Sequence, residues 1–221
     1  MCGGFQRHHG VFIYGDLSKK NYGSYYGFIE NGVVLSSLNE GLSTFIVYNN
    51  GDVDIKTWNA SDNAKLSEIR YARQNGVPLI EPDPIRPERG IPGLYVRDWG
   101  KGNWSGNIRS QLRTARSGAC ISEQKGHRFL IFGYFSSVNP DAMARVFQAY
   151  HCQSAIHLDM NSPGQAYLGL LKLSNGQSLV ENPVREMKAV NTTLKYGNKL
   201  LEMPRYVGSP DNSDFFFIMK K

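Results

Sequence analysis

An α+β fold with a mixed, mostly antiparallel β-sheet and a few packed helices is the prediction, and three observations carry it. Short β-rich runs recur along the chain, separated by Asn-Gly and Asn-Gly-Asp turns. Helical periodicity is confined to two segments. The 221 residues are 41% hydrophobic and 20% charged, an ordinary globular balance in a chain long enough for a substantial core, so residues 1–221 are read as one domain.

Taken in order, Tyr25–Glu30 and Val33–Leu35 flank Asn31-Gly32, a pair that tolerates positive φ, and predict a hairpin. Thr44–Tyr48 and Val53–Trp58 flank Asn49–Asp52 and predict a second. There Val53, Ile55 and Thr57 alternate with Asp54 and Lys56, as a half-buried strand requires. Ser61–Gln74 reads as a helix with Leu66 and Ile69 inward and a stop near Gly76. Residues 78–106 hold Pro82, Pro84, Pro87 and Pro92, but also Ile80, Leu94, Tyr95, Trp99 and Trp104. Too apolar for a linker, they predict a long ordered loop over the sheet, either a binding element or a plain cover.

His127–Tyr134 predicts a central strand. Asn139–His151 predicts the clearer helix: Asn139 is a good N-cap, Pro140 suits the first turn, and Asp141 faces the positive helix end. Met143, Val146, Phe147 and Tyr150 fall at i, i+3, i+4 and i+7, a core stripe. Cys152–Asp159 predicts a buried strand with Ala155, Ile156 and Leu158 in the core. Tyr167–Leu173 with the Ser174–Gly176 turn opens a third hairpin, and Phe215–Met219 predicts a closing strand.

The charge balance, 25 Lys and Arg against 19 Asp and Glu, gives +6, which suits an anionic partner or a merely solvated surface. Basic residues are scattered, in runs no longer than Lys19-Lys20 and Lys220-Lys221. No recognition helix, zinc finger or aromatic RNA-binding pattern accompanies them, so nucleic acid is not expected. No stretch approaches the roughly 18 apolar residues of a membrane helix. Met1–Gly10 lack the apolar centre of a signal peptide, so neither a span nor a leader is expected. Cys2, Cys120 and Cys152 are an odd number without metal-ligand spacing. No zinc site and no disulfide framework is expected, and Cys152 reads as a small buried residue.

The strand Cys152–Asp159 ends on a carboxylate followed by Asn161, Ser162, Pro163 and Gly164. Such an ending puts Asp159 at the rim of a sheet, with Asn161 and Ser162 placed to hydrogen-bond hydroxyl groups. The other reading is that Asp159 only closes an Asx-type turn on its own backbone. His157, two residues earlier, shares a face with Asp159 on a regular strand, either as a general base or as a structural histidine. Asp159-Met-Asn161 also looks like the start of a calcium loop. Pro163 and Leu170 stand where an EF-hand needs a ligand and its bidentate Glu, so that motif is rejected. No nucleophile elbow is present, and no metal or cofactor is expected.

The order of landmarks is informative as a set: Gly3-Gly4-Phe5, the hairpins with their Asn-Gly turns, Arg113-Thr114-Ala115, the strand HRFLIFGYF, an amphipathic helix, then Leu158-Asp159. It resembles the phosphodiester glycosidase domain family, which includes bacterial proteins of exopolysaccharide metabolism, and the resemblance covers about residues 1–175. Residues 176–221 then complete the domain with further strands. The chain departs from the family pattern in two places. Cys2 stands where the family has Asn, and Asp159-Met-Asn-Ser-Pro163 replaces an Asp followed by glycines. Met and Pro lack the φ freedom of glycine. The family motif would also be preceded by further sequence, so the resemblance implies either a missing N-terminal part or a truncated domain. It further implies a secreted or cell-envelope location.

What the resemblance implies chemically is hydrolysis of a sugar-1-phosphodiester. The leaving phosphate is already a weak base, so a protonating acid matters less than in ordinary glycoside hydrolysis. A cation on the phosphate and a carboxylate at the anomeric carbon are needed. Arg113, Asp159 and His157 are the candidate catalytic residues; Gly3, Gly4, Phe5, Arg109, Thr114, Asn161 and Ser162 are the candidate substrate contacts. The expected partner is an anionic glycan or sugar phosphodiester. The alternative is a module that binds an anionic saccharide on the same fold without cleaving it.

Overall fold

The computed structural model describes residues 27–97, 113–173, 177–208 and 216–219, together with the backbone of 2–6, 174 and 213–215. The described strands are β1 (Cys2–Gln6), β2 (Phe28–Glu30), β3 (Val33–Ser36), β4 (Ser43–Tyr48), β5 (Val53–Thr57), β6 (Ile69–Gln74), β7 (Ile80–Pro82) and β8 (Gly90–Pro92), then β9 (Thr114–Gln124), β10 (His127–Val138), β11 (Cys152–Met160), β12 (Leu170–Ser174), β13 (Gln177–Glu181), β14 (Thr192–Tyr196), β15 (Lys199–Met203) and β16 (Ser213–Phe215). One α-helix, α1 (Pro140–Ala149), and two 3₁₀ segments, η1 (Ala60–Glu68) and η2 (Arg185–Val190), complete the described elements. Two five-stranded sheets, ordered β10-β9-β11-β7-β8 and β3-β2-β6-β4-β5, form the body. Three strand pairs, β1-β16, β12-β13 and β14-β15, are separate from them. Every described pairing is antiparallel. The architecture is therefore mostly antiparallel sheet with few helices.

Both early hairpins form as expected. Asn31 (φ 50°) and Gly32 (φ 78°) make the β2–β3 turn, the left-handed pair that a two-residue connection demands. β4 pairs with β5 from Ser43↔Thr57 to Val47↔Val53. The predicted helix Ser61–Gln74 is a correction. Its first part is η1, started by the Asn59 amide donating to Asp62 Oδ2 at 2.9 Å, but Ile69–Gln74 is β6. Leu66 and Ile69 do face the core, so the burial was readable and the period was not. Pairing on both sides, with β2 and β4, decides for strand over local helical preference.

β9 and β11 are covered on both faces. Ala119, Ile121, Ile156 and Leu158 pack against Phe45 and Ile55 of the other sheet. Cys120, Cys152 and Ala155 pack with Met143, Ala144 and Phe147 of α1. Burial on both faces explains why β11 is buried without interruption from Ser154 to Leu158 instead of at alternate residues. β10, expected to be central, lies at one end of the described sheet order, while β11 holds the middle.

Helix α1 is where predicted, with the Asn139 side chain accepting from the Ala142 amide. Its buried face is corrected: Pro140, Met143, Ala144 and Phe147 are inward, whereas Val146 is 39% and Tyr150 57% exposed. Both sets have helical spacing, and the small Ala144 allows the closer approach. Gly118 completes the fit, since a Cβ there would lie 3.0 Å from a Phe147 ring carbon and 3.2 Å from Met143 Cε.

A further correction concerns the cysteines. Cys120 and Cys152 form a disulfide, with Cα atoms 5.8 Å apart and a sequence separation of 32. Counting cysteines gave no access to this. What brings the pair together is the β9–β11 register, Cys152↔Ser122 and Ala155↔Cys120. The predicted loop 78–106 contributes the β7–β8 hairpin, and its residues 98–106 lie outside the described ones. The closing strand is also corrected: it is Ser213–Phe215 in place of the expected Phe215–Met219, and residues 216–219 lie outside it. Ser213–Phe215 pair with β1, and Phe216 leaves the strand to pack on Phe45 with ring centroids 4.5 Å apart.

Candidate functional site

The site is built where β11 leaves the sheet. Between His157 and Met160 the ladder with β9 slips by one residue: His157 is opposite Gly118, but Met160 is opposite Arg116. Three steps on β11 thus span two on β9, a β-bulge, which bends the strand and re-aims side chains. Strict two-residue alternation does not extend through Asp159.

Arg116 is the centre of this bulge and has no exposed surface. Its Nε donates to the Val138 carbonyl at 3.0 Å, and its Nη1 reaches His157 Nε2 at 3.2 Å and Met160 Sδ at 3.4 Å. A guanidinium can only donate, so His157 Nε2 accepts and the ring proton sits on Nδ1. Burial, helped by the Arg116 charge, pushes the His157 imidazole down to about 3, so it is neutral near pH 7. Burial also lowers Arg116, to about 10, which leaves the guanidinium charged. The result is a buried cation held by a neutral imidazole.

Asp159 is half-buried and accepts from its own neighbour, the Met160 amide, at 2.7 Å. The backbone on either side is pinned from two directions. Asn75 Nδ2 donates to the Leu158 carbonyl at 3.3 Å, and Ser117 Oγ donates to the Asp159 carbonyl at 3.0 Å. Asn161 follows in a left-handed conformation (φ 81°) that asparagine tolerates, is exposed, and donates its amide to the Ala115 carbonyl at 2.7 Å. The Ser162 carbonyl accepts from the Gln165 and Ala166 amides, closing one tight turn.

The other sequence-derived candidates are spread around this turn. Arg113 is exposed at the start of β9 and donates to the Ser137 carbonyl at 3.1 Å, on the flank of β9 away from β11. Thr114 pairs with Val138 in the same ladder. Gly3, Gly4 and Phe5 lie on β1, which pairs with β16 and runs beside β11. Arg109 lies outside the described residues. The fold therefore brings His157, the Asp159 turn and Arg116 together. Arg116 is a residue that sequence reasoning passed over. A signal was present, because Arg116-Ser117 repeats the Arg-hydroxyl pair of Arg113-Thr114 three residues later. Only the ladder register shows which pair stands opposite the end of β11.

No family model matches this chain, and no curated protein matches it. Among solved structures, the zebrafish N-acetylglucosamine-1-phosphodiester alpha-N-acetylglucosaminidase catalytic domain, auto-inhibited by its pro-peptide, is similar over 72% of this chain, with 13% identity and a TM-score of 0.45. The chain covers 50% of that structure. A likeness this slight assigns neither family nor activity. The described residues contain no group of three or more His, Cys, Asp or Glu able to hold a metal ion, and no helix among them is long and apolar enough to cross a membrane.

Proposed function

We propose that the end of β11 is an anionic-saccharide site at which a sugar-1-phosphodiester is hydrolysed. The observation that carries this reading is Arg116, a charged guanidinium buried beside His157 and the turn that bears Asp159. A fixed charge in such a low-dielectric setting attracts a nearby phosphate more strongly than a solvated lysine does. Of the motifs that carry the sequence resemblance, Leu158-Asp159 is the one that leads directly into this turn.

In this mechanism water attacks the anomeric carbon, the bond from that carbon to the phosphate oxygen breaks, and the electron pair leaves with the phosphate. Asp159 takes the proton from the attacking water, and Arg116 stabilises the charge on the departing group. His157 orients the guanidinium by accepting from it, which leaves the base role to Asp159. Asn161 and Ser162 meet sugar hydroxyls, with Thr114 and the Gly3-Gly4-Phe5 strand flanking them. Arg113 and Arg109 supply further positive charge.

One observation favours binding without turnover: the Asp159 carboxylate already accepts from the Met160 amide. A panel of glycosyl-1-phosphate methyl esters separates the two readings. Hydrolysis releases free sugar, and ¹⁸O from labelled water appears in that sugar if the carbon–oxygen bond breaks. Arg116→Gln should lower kcat/KM more than Arg113→Gln, in protein shown by its unfolding midpoint to be folded. Binding without sugar release establishes the non-catalytic reading. Label in the phosphate moves the attack to phosphorus, and neither binding nor release ends the proposal.

A further inference from the structure

The C-terminal part of the chain reaches back to the loop that follows Asp159. A turn at Pro204, closed by the Val207 and Gly208 amides donating to the Pro204 carbonyl at 3.1 Å each, carries Arg205 and Tyr206. Arg205 Nη1 donates to the Gly164 carbonyl, and the Tyr206 hydroxyl reaches the same oxygen at 3.3 Å. The Arg205 guanidinium lies over the Tyr206 ring at 4.8 Å, and that ring meets Tyr167 edge-on at 5.9 Å. Tyr206 has φ 70°, a conformation that a tyrosine holds only where its surroundings impose it.

Gly164 is fitted to this contact. A Cβ there would sit 3.1 Å from Arg205 Nη1, 3.2 Å from Val190 Cγ1 and 3.9 Å from Ser162 Oγ. The anchor is itself braced. Tyr167 donates to Asn191 Oδ1 at 2.5 Å, and Asn191 Nδ2 donates to Asn182 Oδ1 at 3.0 Å and to Glu202 Oε1 at 3.1 Å. Two donors, one of them cationic, thus converge on one carbonyl of the loop that carries Asn161 and Ser162.

We propose that Arg205 and Tyr206 are positioning residues of the β11 site, fixing the Gly164 carbonyl so that Asn161 and Ser162 are held in the pose that meets ligand hydroxyls. This rests on the saccharide reading above. It assigns a role to a segment beyond residues 1–175.

The test uses Arg205→Gln, Tyr206→Phe, the double variant and Arg205→Lys, with glycosyl-1-phosphate methyl esters as calorimetric probes. The double variant should weaken binding about 10-fold, less than the full loss of a charged and a neutral hydrogen bond because the contact acts on the ligand only through the loop. Amide exchange over residues 161–166 should speed up without a matching change in β9 or β11. Arg205→Lys should recover most of the affinity. Faster exchange with unchanged affinity makes the contact purely structural and overturns the proposal, as does unchanged exchange. If the wild-type protein binds no probe, the saccharide reading fails on that result alone, and exchange over 161–166 still decides whether the clamp exists.

Discussion

In the β9–β11 ladder Ala119, Cys120, Ala155 and Ile156 have no exposed surface, whereas in the hairpins β12–β13 and β14–β15 Leu173 is 79% and Leu200 72% exposed. The ladder is covered on one face by α1 and on the other by β4 and β5, and a disulfide crosses it. The hairpins are fixed mainly at their base, by Tyr167, Met187 and Tyr206 and by the Asn191 hydrogen bonds. The difference shows where each region's stability comes from. In the ladder it is extended packing, which any lost volume weakens; in the hairpins it is one small buried cluster and a few polar contacts at the base, which leave most surface side chains replaceable. The candidate site lies between the two. Arg116 and His157 belong to the rigid ladder, while Asn161, Ser162 and Gly164 form the loop that the C-terminal turn restrains.

The comparison breaks most readily at α1. Phe147 is buried and meets Phe135 edge-on at 5.7 Å, so Phe147→Ala should cost about 3–5 kcal/mol in denaturant unfolding. A loss below about 1 kcal/mol would mean that this face does not pack on the sheet. Next comes the disulfide. The double change Cys120→Ser and Cys152→Ser should lower stability by about 2–4 kcal/mol, and reductant should have little effect on the variant.

A third effect depends on pH. His157 has an ordinary value of 6.5 that burial depresses to about 3 in the folded chain. Above pH 6.5 both folded and unfolded forms are neutral there, and the group adds no pH dependence. As pH falls from 6.5 towards 3 the unfolded chain takes a proton that the folded chain refuses, so stability falls. The slope approaches about 1.4 kcal/mol per pH unit. Carboxylates, with ordinary values near 4, add their own changes only below about pH 5. His157→Gln should therefore flatten the stability profile between pH 6.5 and 5; an unchanged profile would show that the imidazole is not held neutral. The smallest effect belongs to the hairpins, where Leu200→Ala should stay within about 0.5 kcal/mol of the parent.

Local chemistry made much of the fold legible. Asn31-Gly32 and the Asn49–Asp52 turn marked the hairpins, and Asn139-Pro140 marked the start of α1, because each residue type answers a backbone need at its own position. The misread features depend on neighbours remote in sequence. Ile69–Gln74 is a strand because β2 and β4 pair with it, and Cys120 meets Cys152 because of ladder register. The site divides in the same way. That β11 ends at a polar turn was visible from Asp159, Asn161 and Ser162. That the turn contains a bulge, and that Arg116 and not Arg113 stands opposite it, required the register.

The most direct measurement is turnover of glycosyl-1-phosphate methyl esters by the wild-type protein and by Asp159→Asn, alongside their unfolding midpoints. The substitution keeps the shape of the side chain and removes its charge. Turnover should fall about 10²-fold or more while the midpoint moves by only a few degrees, which is the signature of a group acting on the reacting atoms. Equal turnover in the two proteins would contradict the account and reduce Asp159 to a residue that merely closes the turn at the end of β11.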